Sequence, residues 1–249
     1  MVTTNKQKRN AFLLGILIVL FYMAGRTFIA QLIPVEGSWA KYLKQDAVIT
    51  LLRLLGLICI YWVSRKVWSL KELGSHTQGK KIALVIGVIL LAAYFIQHLA
   101  YVVNSDTSYY FVISEVFILV IVACFEELTF RGLFYNALRE MKNERWAEYI
   151  TSILFMLFHM GYYSFNFGEF SRIFMTGLIF AKLRSRGCSL YWLILIHWAI
   201  DVLWVIQSPG QWIQDRSYMN LISWALMFMA LLTFRIFPKK TEGVLQENG

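Results

Sequence analysis

The chain has 249 residues, 58% of them hydrophobic and only 16% charged, where an ordinary soluble domain carries about a quarter charged residues. Its length would suit one or two soluble domains, but apolar runs of about 18 residues or more exclude that class and predict an all-α, polytopic membrane protein. The net charge of +9 would suit nucleic acid only if it were gathered into one patch, and its distribution along the chain argues otherwise.

Eight spans are predicted, at roughly 11–33, 47–64, 82–103, 110–138, 147–166, 170–183, 189–206 and 217–237. The first follows KQKRN and begins AFLLGILIVLF, which resembles the charged start and apolar middle of a signal peptide. The apolar stretch runs on to about Ile33, so a retained helix is expected. Arg26 and Arg53 lie inside the first and second spans. The fourth span is long, its last turns are expected to leave the hydrocarbon, and it carries Glu115, Glu126, Glu127 and Arg131. His159 falls in the fifth. The sixth is short enough to be tilted or partly re-entrant, and the seventh carries His197 and Asp201. With no repeat, no low-complexity tract and only 3 prolines, the chain reads as a single transmembrane domain over 1–249, with a core at about 110–206.

The basic residues between spans alternate. Lys6, Lys8, Arg9, Arg65, Lys66, Lys71, Lys80, Lys81, Arg139, Lys142, Arg145, Lys182, Arg184, Arg186, Arg235, Lys239 and Lys240 fall on one side, 17 in all; Lys41, Lys44, Arg172 and Arg216, only 4, fall on the other. The positive-inside rule places the larger group and both termini in the cytoplasm of a multi-pass cell-membrane protein. The basic excess is therefore topological, the partner it implies is the lipid bilayer, and nucleic acid is not expected. Cys59, Cys124 and Cys188 show no paired spacing, so neither a disulfide framework nor a cysteine zinc site is indicated. His98 and His76 belong to no motif and read as ordinary residues.

An ionisable side chain at the centre of a membrane helix costs about 2.5–3.5 kcal/mol on insertion scales, so the buried set calls for partners or a task. At 1.5 Å rise per residue, Glu126, His159 and His197 lie roughly 13–20 Å from the cytoplasmic ends of their spans and are able to share one level. Neighbours on a helix differ by 100°, so Glu126 and Glu127 point different ways. Glu127 and Arg131 are spaced i, i+4 and able to pair, which leaves Glu126 to face a pocket. His197 and Asp201 share a face by the same spacing, as do Phe155 and His159. Taken singly, either histidine reads as interhelical hydrogen-bond glue.

Such a set supports narrow chemistry. A carboxylate taken out of water becomes a better general base. One imidazole is able to orient the attacking water and a second to hydrogen-bond an oxyanion. Alternatively, Glu126, His159 and His197 are ligand types for a catalytic zinc with an open position. Both routes lead to amide hydrolysis by water, and the choice between no cofactor and a divalent metal stays open. HExxH and GxSxG are both absent, and serine chemistry is disfavoured.

EELTFR (126–131) matches EExxxR, FMLFH (155–159) matches FxxxH and HWAID (197–201) matches HxxxN/D. In this order, on separate helices, the trio resembles the CPBP family of CAAX prenyl proteases and bacteriocin-processing enzymes, also called Abi, over roughly 110–206. The resemblance implies an eight-helix intramembrane endopeptidase with a conical cavity open toward the cytoplasm. It implies Glu126 as the activator of water, His159 as its assistant, and His197 with its partner Asp201 at the oxyanion. The catalytic set it suggests is thus Glu126, Glu127, Arg131, His159, His197 and Asp201. The family is described as metalloprotease, with a glutamate-dependent, metal-free mechanism as the competitor.

CAAX-type members tend to carry asparagine where this chain has Asp201. An ionised aspartate cannot donate to an oxyanion, so Asp201 must be protonated, bind a metal or orient His197 as an acceptor, and the last is the reading favoured. The substrate implied is a peptide or membrane protein cut near the cytoplasmic face, in bacteriocin self-immunity or peptide maturation. The compact chain without eukaryotic sorting signals looks bacterial. The alternatives are a non-catalytic immunity or scaffold protein of the same fold, and a proton-coupled transporter, whose interrupted helices or repeated halves the sequence does not show.

Overall fold

The computed structural model describes residues 4–34, 39–74, 79–98, 101–102, 109–160, 167–207, 211–212 and 217–236. His76, Arg216, Lys239, Lys240 and the last residues of the predicted fifth span, 161–166, lie outside the described residues. The helices are α1 (Asn5–Leu32), α2 (Trp39–Arg65), α3 (Lys80–His98), α4 (Tyr109–Glu127), α5 (Tyr135–Met141), α6 (Glu144–Phe158), α7 (Phe167–Ser185), α8 (Leu190–Gln207) and α9 (Ser217–Ile236). A π-helical segment, Leu128–Phe134, joins α4 to α5 without a break, so the described residues form eight helical rods. A two-residue antiparallel bridge, Tyr101 opposite Trp212 and Val102 opposite Gln211, ties the connection after α3 to the one after α8. The protein is all-α and built for a membrane: Asn5–Leu32, Lys44–Arg65 and Lys80–Gln97 are each long and apolar enough to cross one.

Local sequence fixes the helix ends. Thr4 caps α1 through a capping box with Gln7, satisfying two amides at once. The Asn143 side chain accepts from the Trp146 amide at 3.0 Å and starts α6 after the short turn that ends α5. Gly187, at φ +80°, makes the turn from α7 into α8.

The predicted fifth span needs correction. The apolar run places it over 147–166 with His159 inside it, whereas α6 stops at Phe158 and His159 is its C-cap residue. The apolar periodicity ran past a helix end that the aromatic-rich residues beyond His159 do not mark with proline.

Two apolar cores flank the long rod. One joins α3, α7, α8 and α9 around Ile86, Leu90, Phe180, Leu193, Ile196 and Met227. The other joins α1, α2, the π segment and α6 around Tyr22, Ile60, Phe125, Phe130, Phe155 and Phe158. Leu128 packs against both. The outer faces keep large apolar side chains exposed, among them Leu17, Phe21, Phe28, Leu55, Trp62 and Phe117. In water such faces would be a liability; against acyl chains they are the solvent-facing surface.

Candidate active site

The acidic pair sits at the α4–π junction, on the seam between the two cores. Both side chains are buried: Glu126 is 3% exposed and Glu127 fully enclosed. They diverge as the helical geometry requires. Glu127 Oε1 accepts from Arg131 Nη1 at 3.1 Å and from His197 Nδ1 at 2.8 Å. Glu126 turns to the other side of the seam, where its Oε2 lies 3.7 Å from His159 Nε2 and 3.7 Å from His197 Nε2. Asp201 Oδ2 stands 3.5 Å from the same His197 nitrogen. The structure therefore brings together all six residues singled out in the sequence, from α4, the π segment, α6 and α8.

Arg131 is enclosed by groups that suit a planar cation. Besides the Glu127 bond, its Nη2 donates to the Gly177 carbonyl of α7 at 3.2 Å. Its guanidinium carbon lies 4.3 Å from the Phe155 ring centre and 5.4 Å from that of Phe180, a stacking that arginine makes better than lysine. Gly177 permits the approach of α7 to α6, since a Cβ there would lie 3.3 Å from Ser152 Cα and from the Phe155 ring. Phe155 also faces both imidazoles, with ring centres 4.6 Å from His159 and 5.9 Å from His197.

Hydrogen bonds set the tautomers. His159 Nδ1 lies 2.8 Å from the Phe155 carbonyl, which can only accept, so Nδ1 carries the proton. His197 gives its Nδ1–H to Glu127. In the neutral state each ring then presents the lone pair of Nε2 toward Glu126. The sequence reading gave the orienting bond on His197 to Asp201. The geometry gives that bond to Glu127 and puts Asp201 on the reactive nitrogen's side. The i, i+4 spacing marked the shared face but not which ring nitrogen each acid meets.

Glu126 Oε2 and Glu127 Oε2 have no hydrogen-bond partner among the described residues. At Glu126 this leaves a carboxylate oxygen facing two imine nitrogens at distances too long for direct hydrogen bonds. The trio Glu126, His159 and His197 is the donor set a zinc would need, yet among the described residues no group of three or more His, Cys, Asp or Glu side chains is arranged to hold a metal ion.

Sequence reasoning missed the residues behind the site. Arg184 of α7 is buried, and its Nε donates to the Arg131 carbonyl at 3.3 Å, its Nη1 to the Cys188 carbonyl at 3.3 Å and its Nη2 to the Glu72 carbonyl at 2.7 Å. Asn136 of α5 donates to the same Glu72 carbonyl at 2.9 Å. Arg53 and Glu115 are both buried, and Arg53 Nε donates to the Tyr22 hydroxyl at 2.8 Å. The Tyr22 ring packs on Phe125 and Phe158, the neighbours of Glu126 and His159.

No curated protein matches the chain. Residues 108–203 match the family model described as Type II CAAX prenyl endopeptidase Rce1-like. That segment spans the acidic pair, the π segment, both histidines and Asp201, and over it the chain is similar to this family of endopeptidases.

Proposed function

We propose that the protein hydrolyses a peptide bond with a water molecule activated by Glu126, without routing the chemistry through a metal. The observation that carries this reading is the convergence of Glu126 Oε2 with two Nε2 atoms, each at 3.7 Å. Facing acceptors repel unless a hydrogen donor lies between them, and water supplies two O–H bonds. Glu126 takes one proton as the water oxygen attacks the carbonyl carbon. His159, its Nδ1 tied to the Phe155 carbonyl, orients the same water through Nε2. The carbonyl oxygen becomes an oxyanion beside His197, which, when protonated at Nε2, donates to it. The C–N bond then breaks, and Glu126 returns its proton to the leaving nitrogen.

Glu127 serves this scheme by holding His197, and Arg131 by holding Glu127. The charge asymmetry of the loops supports a cytoplasmic position for both termini, and with it a cavity that opens toward that side. The substrate class is a peptide or membrane protein whose scissile bond reaches the membrane interior from there, with peptide maturation or self-immunity as the setting.

The test is cleavage by purified protein in lipid vesicles, offered prenylated CAAX-type peptides and single-span membrane peptides, with products read by mass spectrometry. Glu126→Gln, nearly isosteric, is expected to reduce turnover at least about 10²-fold, the usual loss of a general base, while inserting normally. Undiminished cleavage by that variant would refute the role. A protein that binds these peptides and cuts none under any condition would support the scaffold alternative.

A further inference from the structure

We infer that Arg184 is a positioning residue, whose guanidinium sets the register between the π segment and α8 and thereby keeps Glu127 bonded to His197. The residue is only 5% exposed, and its three bonds end on main-chain carbonyls of three separate segments: Arg131 in the π segment, Cys188 just before α8, and Glu72 in the loop after α2. A planar fork suits that task, since its donors leave in fixed directions. None of the three acceptors is a carboxylate, so the arrangement is not an ion pair that happens to be buried. It is a cation spent on joining backbone to backbone.

The loop after α2 completes the joint. Gly74 accepts from the Leu190 amide at 3.0 Å, at the first residue of α8. Gly74 has φ +98°, which favours glycine, and a Cβ there would lie 2.8–2.9 Å from atoms of the Arg184 guanidinium, so an added methyl would displace that group. The Asn136 amide grips the Glu72 carbonyl from α5. The two partners of the 2.8 Å Glu127–His197 bond thus stand on segments fastened to one guanidinium. One is the π segment, which Glu127 precedes directly. The other is α8, where His197 lies seven residues, about two turns, beyond Leu190. A slip of a single residue rise, about 1.5 Å, between them is enough to break that bond.

The inference rests on reading Glu127 and His197 as parts of the catalytic site, but its test reads their bond directly and needs no substrate. The chain has four histidines, so protein carrying ¹⁵N-histidine in vesicles gives few ring signals, assignable with His197→Gln and His159→Gln. Arg184→Lys keeps the charge and loses the fork. The expected result is loss or displacement of the His197 Nδ1–H resonance, with that of His159, whose bond closes within α6, left in place. Gly74→Ala pushes on the guanidinium from the opposite side and is expected to give the same pattern; it decides the matter should Arg184→Lys fail to fold. A His197 signal unchanged from wild type overturns the inference. So does an equal disturbance of both rings, which marks general loosening. Failure of the proteolysis reading would show instead as cleavage surviving Glu126→Gln, and would leave this measurement untouched.

Discussion

At the scale of single residues, the site separates stability from turnover. Glu127 and Arg131 are fully enclosed, so removing Arg131 leaves a buried carboxylate with only the His197 N–H to meet its charge. Arg131→Ala is expected to destabilise by about 3–5 kcal/mol, read as a lowered unfolding temperature in detergent and a reduced yield in the membrane fraction. Asp201 sits differently, with its side chain 26% exposed on the reacting side of His197. Asp201→Ala is expected to leave the unfolding temperature unchanged and to lower kcat about 10- to 100-fold, by removing the carboxylate beside His197 Nε2. Asp201→Asn, which keeps an acceptor oxygen at that place, is expected to keep substantial cleavage. A collapse of stability in Asp201→Ala would show that the residue is structural. These two classes were partly legible in the sequence. Charges inside apolar runs stand out, and the Glu127–Arg131 spacing gave their pairing directly. The stacking of Arg131 between Phe155 and Phe180 was not legible, because it depends on α6 and α7 meeting at Gly177.

At the scale of elements, α6 and the loop after α2 carry the clearest expectations. The α6 helix buries Glu148, Thr151, Ser152, Phe155 and Phe158 and exposes Trp146, Tyr149, Ile153 and Leu157 along one stripe. Two aromatics at its start suit a membrane–water interface, with aliphatic residues deeper in. Ile153→Lys is therefore expected to cost about 2.5–3.5 kcal/mol of insertion, measured as loss of membrane-integrated protein, with Tyr149→Lys tolerated better. In the loop, Glu72 accepts from the Ser69 amide at 2.7 Å and its own amide bonds the Ser69 hydroxyl. The Ser69 hydroxyl and amide hold the Glu72 carboxyl below its ordinary 4.5. A carboxyl held low in the folded protein stabilises above its unfolded value and loses that contribution as pH falls. Hydrogen exchange over 66–74 is expected to stay constant from neutrality to about pH 5 and to rise below 4.5; a rise between pH 8 and 6 would contradict this. The loop's role was hidden in the sequence because Arg184 was one of 17 cations with an adequate topological explanation. Only the fold shows that it points inward.

At the scale of the whole molecule, the eight apolar segments each correspond to a helical rod, since length and hydropathy are local properties. What the pattern could not show is how the long rod changes pitch. The π segment follows Glu127 directly, and nothing in LTFRGLF departs from ordinary helical composition. A π turn is a frequent mark of functional sites, but it is stabilised by neighbours on α2, α6, α7 and α8 that local sequence does not contain. The proposed metal-free reading predicts that cleavage persists after exhaustive chelation, with metal content well below one per chain; loss on chelation and recovery with zinc would overturn it. The phenylalanine of FMLFH has a consequence of its own. Its ring lies against Arg131 on one side and near both imidazoles on others. One aromatic plate thus touches the buried guanidinium and both imidazoles at once, so trimming it to alanine would loosen three neighbours through a single cavity.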